Sequence, residues 1–150
     1  MTPSLSIKKL LPQFQEYFQT RAEIDMAFLF GSWAKGQGGM DSDLDIAIHF
    51  RPEKSPAPGE PGPLFFEGED KIWGDLERIA GRRIDLLVLN RAAATVADSA
   101  LRGISLVIKD RNIHLSYLLR TTSEAADFRE WVEDYWRWKE KMPHVASSRA

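Results

Sequence analysis

The chain has 150 residues, no cysteine, 43% hydrophobic residues and 28% charged residues, with 20 Lys and Arg against 22 Asp and Glu. This composition is typical of a globular domain and excludes a wholly disordered chain, while the lack of cysteine excludes disulfides, thiolate nucleophiles and cysteine-based zinc sites. The net charge of −2 argues against a large basic surface, so we expect no direct nucleic-acid binding.

The hydrophobic runs are too short to span a bilayer. The N-terminal residues include two lysines but no apolar stretch followed by a small-residue cleavage site, so they do not resemble a signal peptide. We therefore expect a cytoplasmic protein without membrane association.

The first third of the chain predicts one helix and two strands. Apolar residues recur every three or four positions over residues 5–20, which is the spacing of one helical stripe, and Pro12 is expected to begin or bend that helix. A compact apolar run predicts a buried strand over Ile24–Phe30. Leu44–Phe50 alternates apolar and other residues, which predicts a half-buried strand.

The remainder of the chain continues the mixture of helices and strands. Residues 51–63 hold five of the eight prolines and predict an exposed loop within one domain. The later segments are a helix over 72–80, a strand over 83–89, a short helix over 92–101, a strand over Ile104–Ile108 and helical structure after Arg111. This order predicts a layered domain, α+β or α/β, with one small sheet.

An aromatic stripe marks the last helical segment, at intervals of three and four: Phe128, Trp131, Tyr135, Trp138 and Met142. Our main expectation is that this stripe covers the sheet, and the alternative is a docking surface for another protein. Trp33 and Trp136 lie off the pattern and are expected to be exposed.

Two acids begin the second predicted strand. Asp43 and Asp45 are two residues apart, so they project from one face with Cα atoms roughly 6.5–7 Å apart. Neighbouring carboxylates repel each other, and a hard cation such as Mg²⁺ relieves that repulsion. The alternative is a solvated pair that caps a turn.

A third acid, Asp85, lies within the apolar strand predicted over 83–89. If this strand lies beside the second strand, one register places Asp85 next to Asp43 or Asp45, and the three acids could surround one or two metal ions. Alternatively, Asp85 is a salt-bridge partner of Arg82 or Arg83.

The residues after the first strand could bind phosphate. Gly31 and Ser32 precede a possible helical turn over 32–35, where backbone amides and a hydroxyl attract phosphate, and Lys35 is the nearest cation. Two other phosphate- or metal-binding motifs fail here. An EF-hand requires Gly and Glu where Ile46 and Pro52 stand, and a Walker A loop requires Lys and Ser or Thr directly after Gly36.

Taken together, the motifs Gly31-Ser32, Lys35-Gly36, Ser42-Asp43-Leu44-Asp45 and Ile84-Asp85 resemble the nucleotidyltransferase signature of the DNA polymerase beta superfamily. Within it, the short chain resembles the minimal nucleotidyltransferase (MNT) antitoxins of HEPN/MNT toxin–antitoxin pairs. The resemblance covers about residues 24–109 and implies an α+β fold with a small mixed sheet flanked by helices. The C-terminal helices, over about 113–142, complete a single nucleotidyltransferase domain spanning 1–150.

The resemblance implies a role for each motif. Asp43 and Asp45 would bind Mg²⁺ ions that hold the ATP triphosphate, and Asp85 would hold a second metal and help to activate the attacking hydroxyl. Gly31 and Ser32 would contact the terminal phosphates. Lys35 stands where relatives often carry Arg, which keeps the charge and loses a bidentate contact.

The resemblance also implies a partner, a HEPN-family ribonuclease toxin whose tyrosine accepts AMP and which is thereby neutralised. Two alternatives are an antitoxin that acts only by binding, and an aminoglycoside-type nucleotidyltransferase with a small-molecule acceptor. The chain itself does not resemble the ribonuclease, whose catalytic His follows an Arg by four to six residues, because Arg111 is only three residues before His114. We expect His114 and His49 to be structural.

Overall fold

A computed structural model of the chain describes residues 3–39, 42–51 and 65–141. The elements in chain order are α1 (Pro3–Gln19), β1 (Ile24–Phe30), α2 (Gly31–Ala34), β2 (Leu44–Phe50), α3 (Glu69–Ala80), β3 (Ile84–Val88), a 3₁₀ turn (Leu89–Arg91), α4 (Ala94–Leu101), β4 (Ile104–Ile108) and α5 (Arg111–Lys141). Beyond Arg51, the predicted proline-rich loop lies outside the described residues, as does Met142.

The strands of the described ranges form one mixed sheet in the order β3-β2-β1-β4. β1 pairs antiparallel with both β2 and β4, whereas β2 and β3 are parallel. A mixed sheet with helices on both faces is the α+β fold that the resemblance implied.

Each face of the sheet carries its own hydrophobic cluster. Phe14 and Phe18 of α1, together with Ile72 and Leu76 of α3, pack against the face that bears Leu44, Ile46 and Ile48. The opposite face, which includes Ala47, packs against α4 and Tyr117 of α5. Because β2 is an inner strand with helices on both sides, it is buried on both faces except near Asp45, and the prediction of a half-buried strand was wrong.

Two features of the helices differ from expectation. α1 continues through Pro12, so this proline does not begin the helix. The C-terminal segment is one continuous helix of 31 residues rather than several helices. Within the described ranges, no helix has the length and apolar character needed to cross a membrane.

The aromatic stripe lies away from the sheet. The last buried residue of α5 is Ala125, and the four described aromatics of the stripe have exposed fractions between 41% and 63%. At 1.5 Å per residue, a 31-residue helix is about 46 Å long and outlasts strands of five to seven residues, so its end has no sheet to cover. The expectation that the stripe covers the sheet was therefore wrong. Trp136 is exposed, as predicted, whereas Trp33 is buried.

His49 and His114 are packed within the fold. His49 and Asp25 are both buried, with 2.8 Å between His49 Nδ1 and Asp25 Oδ1. The His114 ring stacks on Phe28 with 5.8 Å between ring centroids. Both placements agree with the structural role that we expected.

Candidate active site

The sheet register brings together acids from two separate strands. In the parallel pairing of β2 with β3, Asp45 and Asp85 are direct cross-strand partners. Asp43 lies two residues before Asp45, at the entrance to β2, and is exposed like Asp85. The sequence allowed either Asp43 or Asp45 as the cross-strand neighbour of Asp85, and in the structure this neighbour is Asp45.

Asp45 is affected electrostatically by both of the other carboxylates. The pKa of Asp45 is raised above its ordinary value of 3.8, first by burial, then by the charge of Asp85 and a hydrogen bond shared with it, and then by the charge of Asp43. Among the ion pairs of the described residues, none joins Asp85 to Arg82 or Arg83. The salt-bridge alternative for Asp85 is therefore wrong, and within the described ranges no Lys, Arg or His side chain pairs with it.

Gly31 places the end of β1 directly against this cluster. Its neighbour Phe30 is the cross-strand partner of Asp45. Gly31 has a φ of +74°, and a Cβ atom at this position would lie 2.1 Å from Asp45 Oδ2. Glycine is required here for two reasons, the left-handed backbone and the close approach of the main chain to a carboxylate.

A tight turn follows Gly31. The Lys35 N–H donates to the carbonyl oxygens of Gly31 and Ser32, at 3.3 and 3.2 Å, and the Gln37 N–H donates to Ser32 O at 2.8 Å. Ser32 is half-buried within α2, whereas the Lys35 side chain is exposed. The structure thus places Gly31 against Asp45, with Ser32 next in the turn and the Lys35 side chain exposed.

Trp33 connects this turn to the start of β2, a role that we did not predict. Its buried indole donates from Nε1 to the Ser42 carbonyl oxygen at 3.1 Å, one residue before Asp43. Gly38 packs so closely on the ring that a Cβ there would lie 2.2 Å from it. The Arg82 guanidinium lies 4.5 Å from the ring centroid. No periodic pattern includes Trp33, and the only sequence signal was the glycine-rich loop that surrounds it.

Two side chains of α3 close the outer edge of the site. Trp73 donates from Nε1 to the Ile84 carbonyl oxygen at 2.7 Å, and the Ile84 N–H donates to Glu77 Oε2 at 3.2 Å. Both main-chain polar groups of Ile84 are thereby bonded to side chains. A shallow pocket beside Asp43 and Asp85 is lined by Trp73 and Glu77, together with Arg83 and Ile84.

The donor chemistry of the cluster suits a hard divalent cation. Carboxylate oxygens are the protein ligands that Mg²⁺ prefers, and a bound cation would offset both the burial and the charge repulsion that raise the pKa of Asp45. Within the described ranges, no group of three or more acidic, His or Cys side chains forms a ready-made metal cage. A cation held by these aspartates would take further oxygen ligands from water or phosphate, the usual arrangement for Mg²⁺.

Sequence comparison identifies relatives of the chain. Residues 12–112 match the family model described as “Polymerase beta, Nucleotidyltransferase”. A relative from Methanocaldococcus jannaschii, named “Putative protein adenylyltransferase”, is 27% identical over 81 residues, which are 54% of this chain and 73% of the relative. The family match extends beyond residues 24–109, the core expected from the motifs, at both ends.

Solved structures with a similar fold include two toxin–antitoxin complexes. A chain from the crystal structure of a toxin–antitoxin with AMP-PNP has a TM-score of 0.57 and 18% identity, over 89% of this chain and 98% of that one. A chain from the structure of a tri-AMPylated Shewanella oneidensis HEPN toxin in complex with MNT antitoxin has a TM-score of 0.51 and 16% identity, over 89% and 96% of the two chains. At these identities, the likeness shows the fold alone.

Proposed function

Because the chain belongs to the polymerase beta nucleotidyltransferase family, we propose that it transfers AMP from ATP to a tyrosine of a cognate HEPN-family ribonuclease toxin and so acts as an antitoxin. The observation that carries this proposal is the pairing of Asp45 with Asp85 beside Gly31. Further support comes from a relative named as a protein adenylyltransferase and from similar folds in toxin–antitoxin structures, one with an AMPylated HEPN toxin.

Each aspartate would have a role that follows from its position in the site. Asp43 and Asp45 would hold Mg²⁺ against the ATP phosphates, with Asp85 completing the carboxylate set. When bound, Mg²⁺ supplies charge neutralisation for the triphosphate. Asp85 is on the edge strand and is exposed, so an incoming hydroxyl can reach it and be oriented by its carboxylate.

The turn after β1 would hold the leaving group. Gly31 lies against Asp45 and Ser32 follows it in the turn, so the main chain and hydroxyl there would contact the terminal phosphates, while the exposed Lys35 would add a positive charge. In the transfer, the tyrosine oxygen forms a bond to the α-phosphorus and the α–β phosphoanhydride bond breaks. Pyrophosphate leaves and Asp85 accepts the hydroxyl proton. This assignment relies on positioning and electrostatic stabilisation.

The decisive experiment measures label transfer from α-labelled ATP to the purified toxin. The double variant Asp43→Ala with Asp45→Ala should abolish transfer, whereas a control pair on an exposed helix surface, Asp127→Ala with Asp134→Ala, should leave it unchanged. Circular dichroism verifies that both variants fold. Mass spectrometry of the toxin should show additions of AMP in the wild-type reaction only when Mg²⁺ is present.

The same experiment separates the proposal from an antitoxin that acts only by binding. If the double variant transfers AMP at the wild-type rate, the aspartates are not the catalytic set. If the wild-type chain binds and silences the toxin while the toxin mass stays unchanged, neutralisation occurs by occlusion and the proposed transfer is wrong.

A further inference from the structure

The indole of Trp73 is an exposed aromatic surface at the acidic site. Trp73 lines the same pocket, of about 270 Å³, as Asp43 and Asp85. Its exposed fraction is 45%, so much of the ring is open to a ligand. The hydrogen bond from Nε1 to the Ile84 carbonyl oxygen, at 2.7 Å, holds the ring in place. A ring that is already fixed binds a ligand without the cost of being ordered.

Trp73 lies on the outer side of the edge strand β3. The Leu44 N–H donates to the Arg83 carbonyl oxygen at 3.2 Å, so the backbone groups of Arg83 face β2 and those of the next residue, Ile84, face outward. The bond from Trp73 to Ile84 therefore places the indole beyond β3. Across the sheet, the groups of the site follow in the order Gly31 after β1, Asp45 of β2, Asp85 of β3 and Trp73 of α3.

This order determines the side from which an acceptor approaches. In the proposed function, on which this inference rests, pyrophosphate leaves on the side of Gly31. The attacking oxygen and the leaving oxygen lie roughly in line on opposite sides of the phosphorus. Because Gly31 is on the β1 side of Asp45, the attacking oxygen comes from the β3 side. The acceptor group therefore reaches Asp85 past the indole of Trp73.

The charges of the pocket restrict the chemistry of that acceptor. Among the described residues, its lining carries the carboxylates of Asp43, Asp85 and Glu77 against the single guanidinium of Arg83. A pocket with this excess of negative charge disfavours a second phosphate group or a carboxylate. A neutral hydroxyl group carried on an apolar body fits it better.

We propose that Trp73 holds the aromatic ring of the acceptor and thereby makes the transfer selective for a phenolic hydroxyl over an aliphatic one. Aromatic pairs stack offset or edge to face, with centroids about 4.5–7 Å apart. A phenol has its hydroxyl at the far end of a rigid ring, so a ring held by Trp73 can present its oxygen to Asp85. Serine and threonine have no ring for the indole to hold.

The transfer step itself is unchanged by this assignment. The phenolic oxygen forms a bond to the α-phosphorus, the bond to pyrophosphate breaks, and Asp85 accepts the hydroxyl proton. Trp73 supplies no proton or charge to this step. Its role is to determine which hydroxyl is positioned for it.

The test compares AMP transfer to two acceptors, the toxin and a toxin with serine in place of the acceptor tyrosine. Trp73→Ala should lower kcat/KM for the tyrosine acceptor about tenfold and leave the slower transfer to serine unchanged. Trp73→Phe keeps an aromatic face without the hydrogen bond to Ile84, so it should retain the wild-type preference within about threefold. Asp70→Ala, an exposed change on the same helix, is the control and should alter neither rate.

Two results of this comparison would overturn the proposal. An equal loss for both acceptors would show that Trp73 only supports the site. A raised KM for ATP with an unchanged preference between acceptors would show that the indole contacts the adenine ring instead.

The contact is also measured without any transfer, in the full chain labelled with 5-fluorotryptophan. The fluorine resonance of Trp73 is the one that is missing from Trp73→Phe. Titration with N-acetyl-tyrosinamide should shift it more than the resonances of the other exposed tryptophans, and N-acetyl-serinamide should not shift it. A Trp73 resonance that does not respond to the tyrosine compound would overturn the proposal. The expected shift in a wild-type chain that transfers no AMP would support the aromatic contact and refute the proposed transfer.

Discussion

Gly31 and Asp45 are in such close contact that a side chain on the first would displace the carboxylate of the second. The Cβ of any other residue at position 31 would lie 2.1 Å from Asp45 Oδ2. The main chain at the end of β1 thus forms one wall of the acidic site, and the backbone conformation of Gly31 leaves room for the carboxylate of Asp45, a proposed metal ligand.

Gly31→Ala should therefore abolish or greatly reduce AMP transfer, because the methyl group displaces the Asp45 carboxylate. It should also cost about 1–2 kcal/mol of stability, since Ala at positive φ is strained. Gly81→Ala is a matched control, because Gly81 has a φ of +65° and open space around its Cβ position. Both variants should lose stability in thermal unfolding through backbone strain, but only Gly31→Ala should lose AMP transfer, because only its methyl group contacts Asp45. Equal transfer activity of the two variants would contradict this prediction.

Asp45→Asn should be more stable than the wild-type protein at neutral pH, although it loses transfer activity. The pKa of Asp45 is raised in the folded state, so the folded protein holds this proton more tightly than the unfolded chain, and stability falls as pH rises through the raised pKa. The advantage of the variant should vanish below about pH 3.8, where both states of the wild type hold the proton. Thermal melts across pH measure this difference.

A companion measurement uses Mg²⁺ in the same melts. If Asp45 is a ligand, Mg²⁺ should raise the melting temperature of the wild-type protein more than that of Asp45→Asn. An equal rise in both would show that the cation acts elsewhere.

Trp33→Phe should raise the Mg²⁺ concentration needed for half-maximal transfer severalfold, with a smaller effect on the rate at saturating Mg²⁺. The variant loses the hydrogen bond to Ser42 O, which is worth roughly 0.5–1.5 kcal/mol and holds the chain next to Asp43. Trp136→Phe, on the exposed surface of α5, is the control. A loss of stability without a change in Mg²⁺ requirement would indicate that Trp33 is a packing residue only.

Protonation of Asp75 should account for part of the stability that the fold loses at acidic pH. This buried carboxylate links α1 to α3, with 2.6 Å between Tyr17 Oη and Asp75 Oδ2 and 2.7 Å between Arg21 Nη2 and the same oxygen. The hydrogen bond from Tyr17 lowers the pKa of Asp75 to about 2, with further contributions from Arg21 and Arg78 that together outweigh its burial. Burial, followed by the hydrogen bond to Asp75, raises the pKa of Tyr17 to about 12.

Because the pKa of Asp75 is lower in the folded state than in the unfolded chain, its charged form stabilises the fold. This stabilisation is complete above the pKa of the unfolded state and is lost as the pH falls toward the pKa of the folded state. Asp75→Asn should therefore reduce stability at pH 7 by on the order of 1–2 kcal/mol and flatten the loss between about pH 4 and pH 2. Urea unfolding at several pH values measures both effects. Asp70→Asn, an exposed site on the same helix, should show neither.

The sequence allowed most element boundaries to be predicted because the apolar runs end sharply. Ile24–Phe30, Leu44–Phe50 and Ile104–Ile108 form strands over those same residues, and β3 is shorter than predicted by one residue at each end because a 3₁₀ turn begins at Leu89. Local patterns of hydrophobicity and glycine carry this information.

What depended on distant contacts was less predictable. Periodicity identified the apolar face of α5 but not whether anything covers it, which depends on where the sheet ends. Trp33 belongs to no pattern, and its burial follows from Gly38 and Ser42, which approach it only in the folded loop. The sequence could not decide whether Asp85 lies beside Asp43 or Asp45, because the register of a parallel strand pair is set by packing across the whole sheet.

The bonds from Trp73 and Glu77 to the main chain of Ile84 also restrict how a polypeptide can reach the site. The unpaired backbone groups of an edge strand can pair with an added strand. At Ile84 of β3, both the N–H and the carbonyl oxygen are already hydrogen-bonded to side chains. A protein substrate would therefore not add a strand to the sheet at the level of Ile84, and it would present its acceptor group to Asp85 without main-chain pairing there.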